Sequence, residues 1–396
     1  MLYFNRKRLI PLMILLFSSL VVFWQFPLIP QKMAFDELEF AKLALDLEGK
    51  WQIFSKQATG HATPYFYLLL LSFKTFGLNI GALRLPAALF GVANCVLVYY
   101  LFRRFFSDWL AALGALIFSF SHWVFNFSRF GFEATYLLFW ELFGVINLLS
   151  YLKNKKILNL GLLLVATLAS FYSYLPGRLF FLLPTAIMII NKVKTKYWLT
   201  YLILFSVFAL PLVLVTGGTE NRVQELLYLN QDLPLITKLG YFWENIVKNI
   251  LMLNFYGDLN GRHNYPGKPG LNPAMGVLFW IGLALSLKNR TKYWFFYLWI
   301  ILSIVPSLLT LPTDNPHFLR TYTVTVGLVF LITLALKTLF KRFPKAVILI
   351  LLLVIASGIY EVRTYFKYQK PVFNKAFEKT PLDLNKLKIG NNRQEL

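Results

Sequence analysis

Two adjacent carboxylates, Asp36 and Glu37, come soon after the first long apolar run, in the stretch AFDELEFAKLALDLEGKW. The apolar residues that follow recur at mixed helical spacing, so the sequence predicts a short amphipathic helix. Near its start, Asp36 can act as a general base that takes a proton from a hydroxyl group. Asp36 can equally do no more than cap the helix, while Glu37 can cap, orient or bind a cation.

Five further segments between apolar runs carry groups suited to holding an anion or moving a proton. They are TGHATPYFYLLL with His61, FNFSRFGFEATYLL with Arg129 and Glu133, FYSYLPGRLF with Tyr174 and Arg178, FYGDLNGRHNYPGKPGLNPAMG with Arg262, His263 and Lys268, and LPTDNPHFLRTY with His317 and Arg320. The fourth segment also holds Asp258 and is too rich in glycine and proline for a helix. Arginine, histidine and lysine on such a loop supply the donors that a phosphate needs.

Each of these groups also has a purely structural interpretation. His61 can be a surface-loop histidine, Arg129 and Glu133 can terminate helices, and Arg178 can stack on nearby tyrosines. Glu133 nevertheless begins an otherwise apolar helix, where its desolvation requires a reason. Glu141 lies deeper in the same apolar run and has no assigned role.

The composition places these groups in a membrane protein. The chain has 396 residues, of which 57% are hydrophobic, well above the share in soluble domains. The net charge of +22 comes from short basic clusters between apolar runs, which is the positive-inside pattern and argues against nucleic-acid binding. The single cysteine, Cys95, excludes a disulfide framework within the chain and a cysteine-based metal site. The apolar N-terminal run is not followed by a small-residue cleavage site, so it is expected to be a retained helix.

Apolar windows of membrane-spanning length predict an all-α bundle of about eleven transmembrane helices. The windows lie near 9–28, 84–102, 109–127, 132–152, 157–175, 177–191, 197–216, 273–287, 292–311, 321–337 and 345–362. The piece 64–77 is short for a crossing and carries Lys74. If it crossed, most basic clusters would face outward, so we expect it to be an interfacial helix.

With 64–77 in the interface, the basic clusters face the cytoplasm and the candidate groups lie together on the outer face. Only Asp108 and Glu141 of the eighteen acids lie elsewhere than in outer segments or the tail. We expect a transmembrane domain over 1–362, with an active site formed by outer loops 29–83 and 217–272. A short outer tail follows over 363–396. The protein should lie in the cytoplasmic (inner) membrane with its site facing outward.

The sequence resembles the polytopic GT-C glycosyltransferases of family 39, which include the protein O-mannosyltransferases and the aminoarabinose transferases of lipid A. The matching features are Asp36-Glu37 after the first span, the run ATPYFYLLLLSFKTFG with ALRLPAALFG, the segments FSRFGFEAT and RHNYPGKP, and the turn NPHFLR. These features cover roughly residues 9–340. The segments FSRFGFEAT and RHNYPGKP and the turn NPHFLR also resemble the bacterial, carrier-dependent members of the family.

The resemblance implies an inverting transfer of a sugar from a polyprenyl-phosphate donor. It assigns the general base to Asp36 and a second cavity acid to Glu133. Arg320, with Arg262 or His263, matches positions that hold the donor phosphate. The sequence HATP at 61–64 departs from the acidic–basic pair and two prolines of the aminoarabinose transferases, so their specificity does not carry over.

The sequence therefore predicts a transferase that moves a sugar from a polyprenyl-phosphate donor to a hydroxyl acceptor on a protein, lipid or glycan. The alternatives are a transporter or flippase of lipid-linked sugars, and a GT-C-like glycan ligase or polymerase. His61, Arg129, Tyr174, Arg178 and Lys268 join Glu37, His317 and the donor-phosphate cations as expected substrate-binding groups. No cofactor is required, although carboxylates and a phosphate also suit a divalent cation. The sugar, the acceptor and the oligomeric state are left open.

Overall fold

The computed structural model describes residues 6–217 and 226–376, and most of these residues are helical. In lipid every backbone N–H and C=O must find an internal partner, which is why apolar runs of this length fold as helices. The helices are α1 (Arg6–Phe23), α2 (Phe35–Asp46), α3 (Pro64–Phe76), α4 (Ile80–Phe102), α5 (Asp108–Ser119), α6 (His122–Ser128), α7 (Ala134–Asn154), α8 (Ile157–Phe171), α9 (Leu182–Ile190), α10 (Thr195–Gly217), α11 (Leu235–Asn254), α12 (Pro273–Leu287), α13 (Arg290–Leu308), α14 (Val324–Arg342), α15 (Val347–Arg363) and α16 (Lys370–Ala376). The all-α polytopic membrane architecture is confirmed.

Short elements connect these helices. The 3₁₀ turns are Gln57–Thr59, Leu175–Leu179, Tyr228–Asn230, Pro312–Asp314 and Pro344–Ala346, and a π-helical turn, Thr364–Gln369, joins α15 to α16. Strands β1 (Phe54–Ser55) and β2 (His61–Ala62) form an antiparallel pair with Phe54 opposite Ala62 and Ser55 opposite His61.

The predicted spans correspond to apolar helices of two lengths. Within the described residues, α4, α7, α10, α13, α14 and the stretch Pro344–Ala376 are long and apolar enough to cross a membrane. The pair α5 and α6 is a seventh candidate, and Leu9–Phe23, Ile157–Phe171, Leu175–Ile190 and Pro273–Leu287 are shorter apolar helices. Arg6, Lys7 and Arg8 form the basic cluster before the first predicted span, and their side chains lie outside the described part.

The span predicted over 109–127 is broken. Helices α5 and α6 meet at an angle of 64° at Phe120 and Ser121. The apolar window was counted as one segment, so the count could not reveal this bend. The bend lets α6 leave the bundle direction and place its side chains under the loops described below.

The two predicted outer loops are largely structured. The first contains α2, the β1–β2 pair and α3, and the short helix expected over 64–77 is present as Pro64–Phe76. The second contains α11, a 20-residue helix that the sequence argument treated as loop. Residues 218–225 of that loop lie outside the described part.

The core is aromatic and closely packed around α14. Phe330 of α14 stacks on Phe296 of α13, with ring centroids 3.6 Å apart. Helix α12 approaches α14 so closely that a Cβ on Gly282 would lie 1.9 Å from the Leu331 carbonyl oxygen. Small residues at such crossings permit close backbone contact between membrane helices.

The segment expected to be a tail is helical as far as Ala376 and packs into the bundle. Tyr365 and Gln369 are fully buried, and Phe373 is nearly so. Residues 377–396 of the predicted tail lie outside the described part.

Candidate active site

A cavity of about 860 Å³ opens where the first loop, the α6–α7 turn, the α8–α9 turn and two later loops meet. Nine of the twelve predicted site residues line it. They are Asp36, His61, Glu133, Tyr174, Arg178, Arg262, His263, His317 and Arg320. The structure thus brings together groups separated by up to 284 positions, from Asp36 to Arg320.

The cavity lies at one end of the bundle. It is lined by Thr216 and Leu309, where α10 and α13 end, and by Ala134, where α7 begins. The opposite ends of these helices carry basic residues, including Lys153, Lys196 and Arg290. The cavity and these basic clusters therefore lie at opposite ends of the same helices.

Asp36 lies in the first turn of α2, and the N-cap of that helix is Ala34. Its Oδ2 accepts a hydrogen bond from Arg262 Nη1 at 2.8 Å, and both side chains are about a third exposed. Within the described residues, Oδ1 of Asp36 has no hydrogen-bond partner, so one carboxylate oxygen is left toward the cavity. The arginine thus fixes the orientation of the carboxylate.

Glu37 points away from the cavity, because neighbouring residues on a helix project in different directions. It is fully buried, and its carboxylate accepts two bonds from Arg84, at 2.7 and 2.8 Å. Backbone N–H groups of Ala34 and Gly131 donate to the same carboxylate at 3.0 and 2.9 Å. Glu37 therefore caps α2 and ties it to α4, and the expected substrate contact from Glu37 is wrong.

Glu133 is buried at the N-terminus of α7, where its Oε1 lies 2.6 Å from His61 Nδ1. Its Oε2 is buried without a hydrogen-bond partner in the described structure. Burial, with the charges of Glu133 and Glu37, raises the pKa of Tyr65 well above its ordinary value, so this neighbouring phenol stays protonated. Glu133 is thus an acid with one oxygen uncommitted.

Arg178 is the least engaged cation of the cavity. Its guanidinium lies 5.9 Å from the Phe171 ring, and its buried Nε has no acceptor in the described residues. No carboxylate of the described residues forms an ion pair with it, and burial lowers the pKa of Arg178 while the charge of Glu133 opposes that shift. A guanidinium in that state is suited to an anionic ligand.

Arg320 and His317, from the loop before α14, also line the cavity. Arg320 donates to Thr310 Oγ1 at 2.8 Å and pairs with Asp314 at 3.2 Å. His317 Nδ1 accepts the Arg320 backbone N–H at 3.2 Å. Burial, and then the charges of Arg320, His263 and Arg262, holds the pKa of His317 well below its ordinary value. The His317 ring is therefore neutral.

Asp258 and His263 hold the glycine-rich loop in shape. Asp258 Oδ2 lies 3.0 Å from His263 Nδ1 and accepts the Phe318 N–H at 2.9 Å. A Cβ on Gly257 would lie 1.7 Å from the Lys268 carbonyl oxygen, so only glycine fits that close approach. Asp258 is a cavity residue that the sequence-based site omitted, although its position in the loop was apparent.

Two other predicted site residues lie outside the cavity. Arg129 is fully buried and donates to backbone carbonyls of Val22 and Ile29 and to the Tyr365 hydroxyl. Lys268 is buried in an ion pair of 2.7 Å with Glu361. Both expectations of substrate contact are corrected, because these cations are already satisfied by internal acceptors.

Residues of α6 support the cavity from beneath. Trp123 Nε1 donates to the Phe318 carbonyl at 2.9 Å, and Asn126 Nδ2 donates to the carbonyls of Arg262 and His263 at 3.2 and 3.0 Å. Polar side chains in an apolar window were the available signal, but it could not identify their partners.

A sequence profile described as dolichyl-phosphate-mannose-protein mannosyltransferase matches residues 61–216, which is less than half of the chain. No curated protein sequence matches significantly. Among solved structures, ArnT from Cupriavidus metallidurans bound to undecaprenyl phosphate has a TM-score of 0.57 at 14% identity, covering 92% of this chain and 76% of that one.

The oligosaccharyltransferase of Archaeoglobus fulgidus, tethered with an acceptor peptide, has a TM-score of 0.54 at 14% identity, covering 93% of this chain and 56% of that one. This chain thus spans little more than half of the archaeal protein. At such identity the structural likeness establishes the fold. Residues 61–216 are therefore similar to the dolichyl-phosphate-mannose-protein mannosyltransferases, and the chain shares the fold of ArnT and of the archaeal oligosaccharyltransferase.

Proposed function

We propose that the protein transfers a sugar from a polyprenyl-phosphate donor to a hydroxyl acceptor at the outer face of the cytoplasmic membrane. The observation that carries this proposal is a single cavity that brings the carboxylates of Asp36 and Glu133 together with Arg178, Arg262 and Arg320. Such a set matches a reaction in which one group loses a proton and a phosphate leaves as an anion.

The leaving phosphate needs positive charge more than it needs a proton. Arg178 supplies a guanidinium without a carboxylate partner in the described chain, whereas Arg262 and Arg320 each have one. The donor phosphate is therefore assigned first to Arg178, and Arg320 is a second cation that lines the same cavity. Charge-assisted hydrogen bonds that strengthen as the phosphate departs would lower the barrier.

Asp36 is the proposed base. Its bond to Arg262 fixes the carboxylate, and Oδ1 has no partner among the described residues. Glu133 is deeply buried and already bonded to His61, so an approaching acceptor hydroxyl reaches Asp36 more readily. We assign Glu133 and His61 to binding of the sugar, whose hydroxyls can use the uncommitted Oε2 as an acceptor.

A lipid carrier also requires a place for its hydrocarbon chain. A second cavity of about 600 Å³ lies between α1, α5, α12, α14 and α15 and is lined mainly by apolar side chains such as Leu20, Leu113 and Val354. The loop that carries Asp258 and His263 also contributes Gly270 and Leu271 to this cavity. The second cavity supports a lipid substrate, since its apolar lining suits a hydrocarbon chain. In ArnT, the bound molecule is itself undecaprenyl phosphate.

The outward orientation is supported by charge. Basic residues gather at the helix ends opposite the cavity, and such clusters face the cytoplasm in membrane proteins. An accessibility assay that labels cysteines introduced at Lys50 and Lys153 tests this: only the first should react with an impermeant reagent applied to intact cells.

The transfer assay uses purified protein, a panel of labelled polyprenyl-phosphate sugars, and peptide, lipid and glycan acceptors. Release of labelled sugar from one donor would identify it. We expect Asp36→Asn to lower turnover at least a thousandfold while keeping donor binding, because a removed base affects the chemical step. Full turnover by Asp36→Asn would overturn its assignment, and donor flux through liposomes without transfer would favour a transporter.

A further inference from the structure

We propose that Asp258, His263 and His317 bind a divalent first-row cation in the cavity wall, with Zn²⁺ as the best-fitting ion. One donor atom from each side chain lies within 4.8 Å of the other two. The two imidazole rings are in contact, with centroids 4.7 Å apart. Two histidines and one carboxylate with an open fourth position is the ligand set of many zinc sites.

The distances are close to those of a metal site. Ligand atoms about 2.0–2.2 Å from a tetrahedral zinc ion lie roughly 3.4 Å from one another. The His263 and Asp258 atoms are already 3.0 Å apart. Drawing in the third donor, from His317, needs a movement of little more than about 1 Å, which side-chain rotation supplies.

Neighbouring backbone groups hold two of the three proposed ligands, Asp258 and His317, in place. Asp258 accepts backbone N–H groups of Asn260 and Phe318 at 2.8 and 2.9 Å. The Arg320 N–H bonds Nδ1 of His317, which leaves Nε2 as the ligand atom of that ring. Hydrogen bonds of this kind orient metal ligands and are a normal part of such sites.

The charges around the three side chains are partly balanced. Arg262 and Arg320, whose charges act on His317, are each paired with a carboxylate, Asp36 and Asp314. Asp258 contributes a negative charge beside the two imidazoles. In the part of the chain that the structure describes, no other three histidine, cysteine, aspartate or glutamate side chains come together in this way.

The open position faces the cavity, because all three ligands line it. A phosphate oxygen or a water molecule would complete the coordination. The part of this inference that concerns phosphate rests on the proposed function, whereas cation binding itself does not. Cation binding is therefore tested without any donor.

The test measures Co²⁺ and Zn²⁺ binding to the purified full chain after chelator treatment, by calorimetry and by the visible absorption of bound Co²⁺. We expect one ion per chain. Asp258→Asn and His317→Gln should weaken binding at least tenfold. His61→Gln, in the same cavity but outside the group, is the matched control and should bind normally.

X-ray absorption of the zinc-loaded wild type provides a readout that does not depend on variants folding. Two imidazole ligands in the first shell are expected. Absence of saturable binding, or a first shell without two imidazoles, would overturn the inference. The inference would also be overturned if His61→Gln lost cation binding while His317→Gln bound the cation normally. Saturable binding in a protein that transfers no sugar would refute the proposed function alone.

Discussion

The adjacent acids Asp36 and Glu37 should respond oppositely to the same chemical change. Glu37→Gln replaces one acceptor oxygen by an NH₂ group inside a site that contains only donors. Each carboxylate oxygen accepts one bond from Arg84 and one from a backbone N–H. The substitution therefore removes two bonds to a charged carboxylate, each worth about 1.5–3 kcal/mol.

The sum is a loss of about 3–6 kcal/mol, in line with the roughly 3–5 kcal/mol typical of breaking a buried ion pair. Asp36→Asn breaks a pair with Arg262 that is about a third exposed, so its stability cost should stay under about 1 kcal/mol. Thermal unfolding of both variants in the same detergent, with transfer activity measured on the folded fraction, separates the two effects.

We expect Glu37→Gln to melt well below the wild type, and Asp36→Asn to melt near it without transferring sugar. Equal melting temperatures for the two variants would refute the assignment of Glu37 as a structural anchor. A double variant, Glu37→Gln with Arg84→Met, removes the unpaired buried charge and should regain part of the lost stability.

Three other substitutions test separate parts of the site. Arg178→Gln should raise the KM for the donor about ten- to hundredfold, as expected for lost charge-assisted bonds, whereas Arg104→Gln at the other end of the bundle should leave the KM unchanged. Gly257→Ala forces a Cβ against the Lys268 carbonyl and should cost about 1–3 kcal/mol; limited proteolysis of the loop should accelerate, and unchanged cleavage would contradict the close approach. Glu141→Gln keeps an oxygen for the Trp299 Nε1 bond of 3.0 Å, so turnover and melting temperature should stay near wild type; a large loss of turnover would give Glu141 a functional role.

The sequence was sufficient for the architecture because membrane burial makes long apolar runs nearly unambiguous. It was also sufficient for most of the cavity, since charged groups at the ends of apolar runs on one side must share one face. It failed for Arg129 and Lys268 for a common reason. A sequence shows that a cation is near a loop, but it does not show the acceptors that the cation binds in the fold. These acceptors are backbone carbonyls for Arg129 and Glu361 for Lys268.

The roles of Asp36 and Glu37 show the same limit at finer scale. Pattern alone allowed either acid to cap α2 or to face the substrate. The ion pair with Arg84 determines that Glu37 is the buried capping acid. Arg84 lies 47 positions away from Glu37 in the sequence, so it gives no local signal. The sequence also could not show that Asp258, His263 and His317 lie together, because His317 comes from a different loop than the other two residues.

The short helix α6 has a consequence for how the protein is made. His122, Trp123 and Asn126 each bond a group that is synthesised much later, namely Gln369, the Phe318 carbonyl and the loop at Arg262–His263. Helix α6 therefore gains the last of these partners, Gln369, only when the final helices have left the ribosome. A nascent chain stopped after Arg342 contains every residue that lines the cavity but lacks the partner of His122. We expect such a chain to insert most of its helices, with α6 fully anchored only in one of the final events of biogenesis.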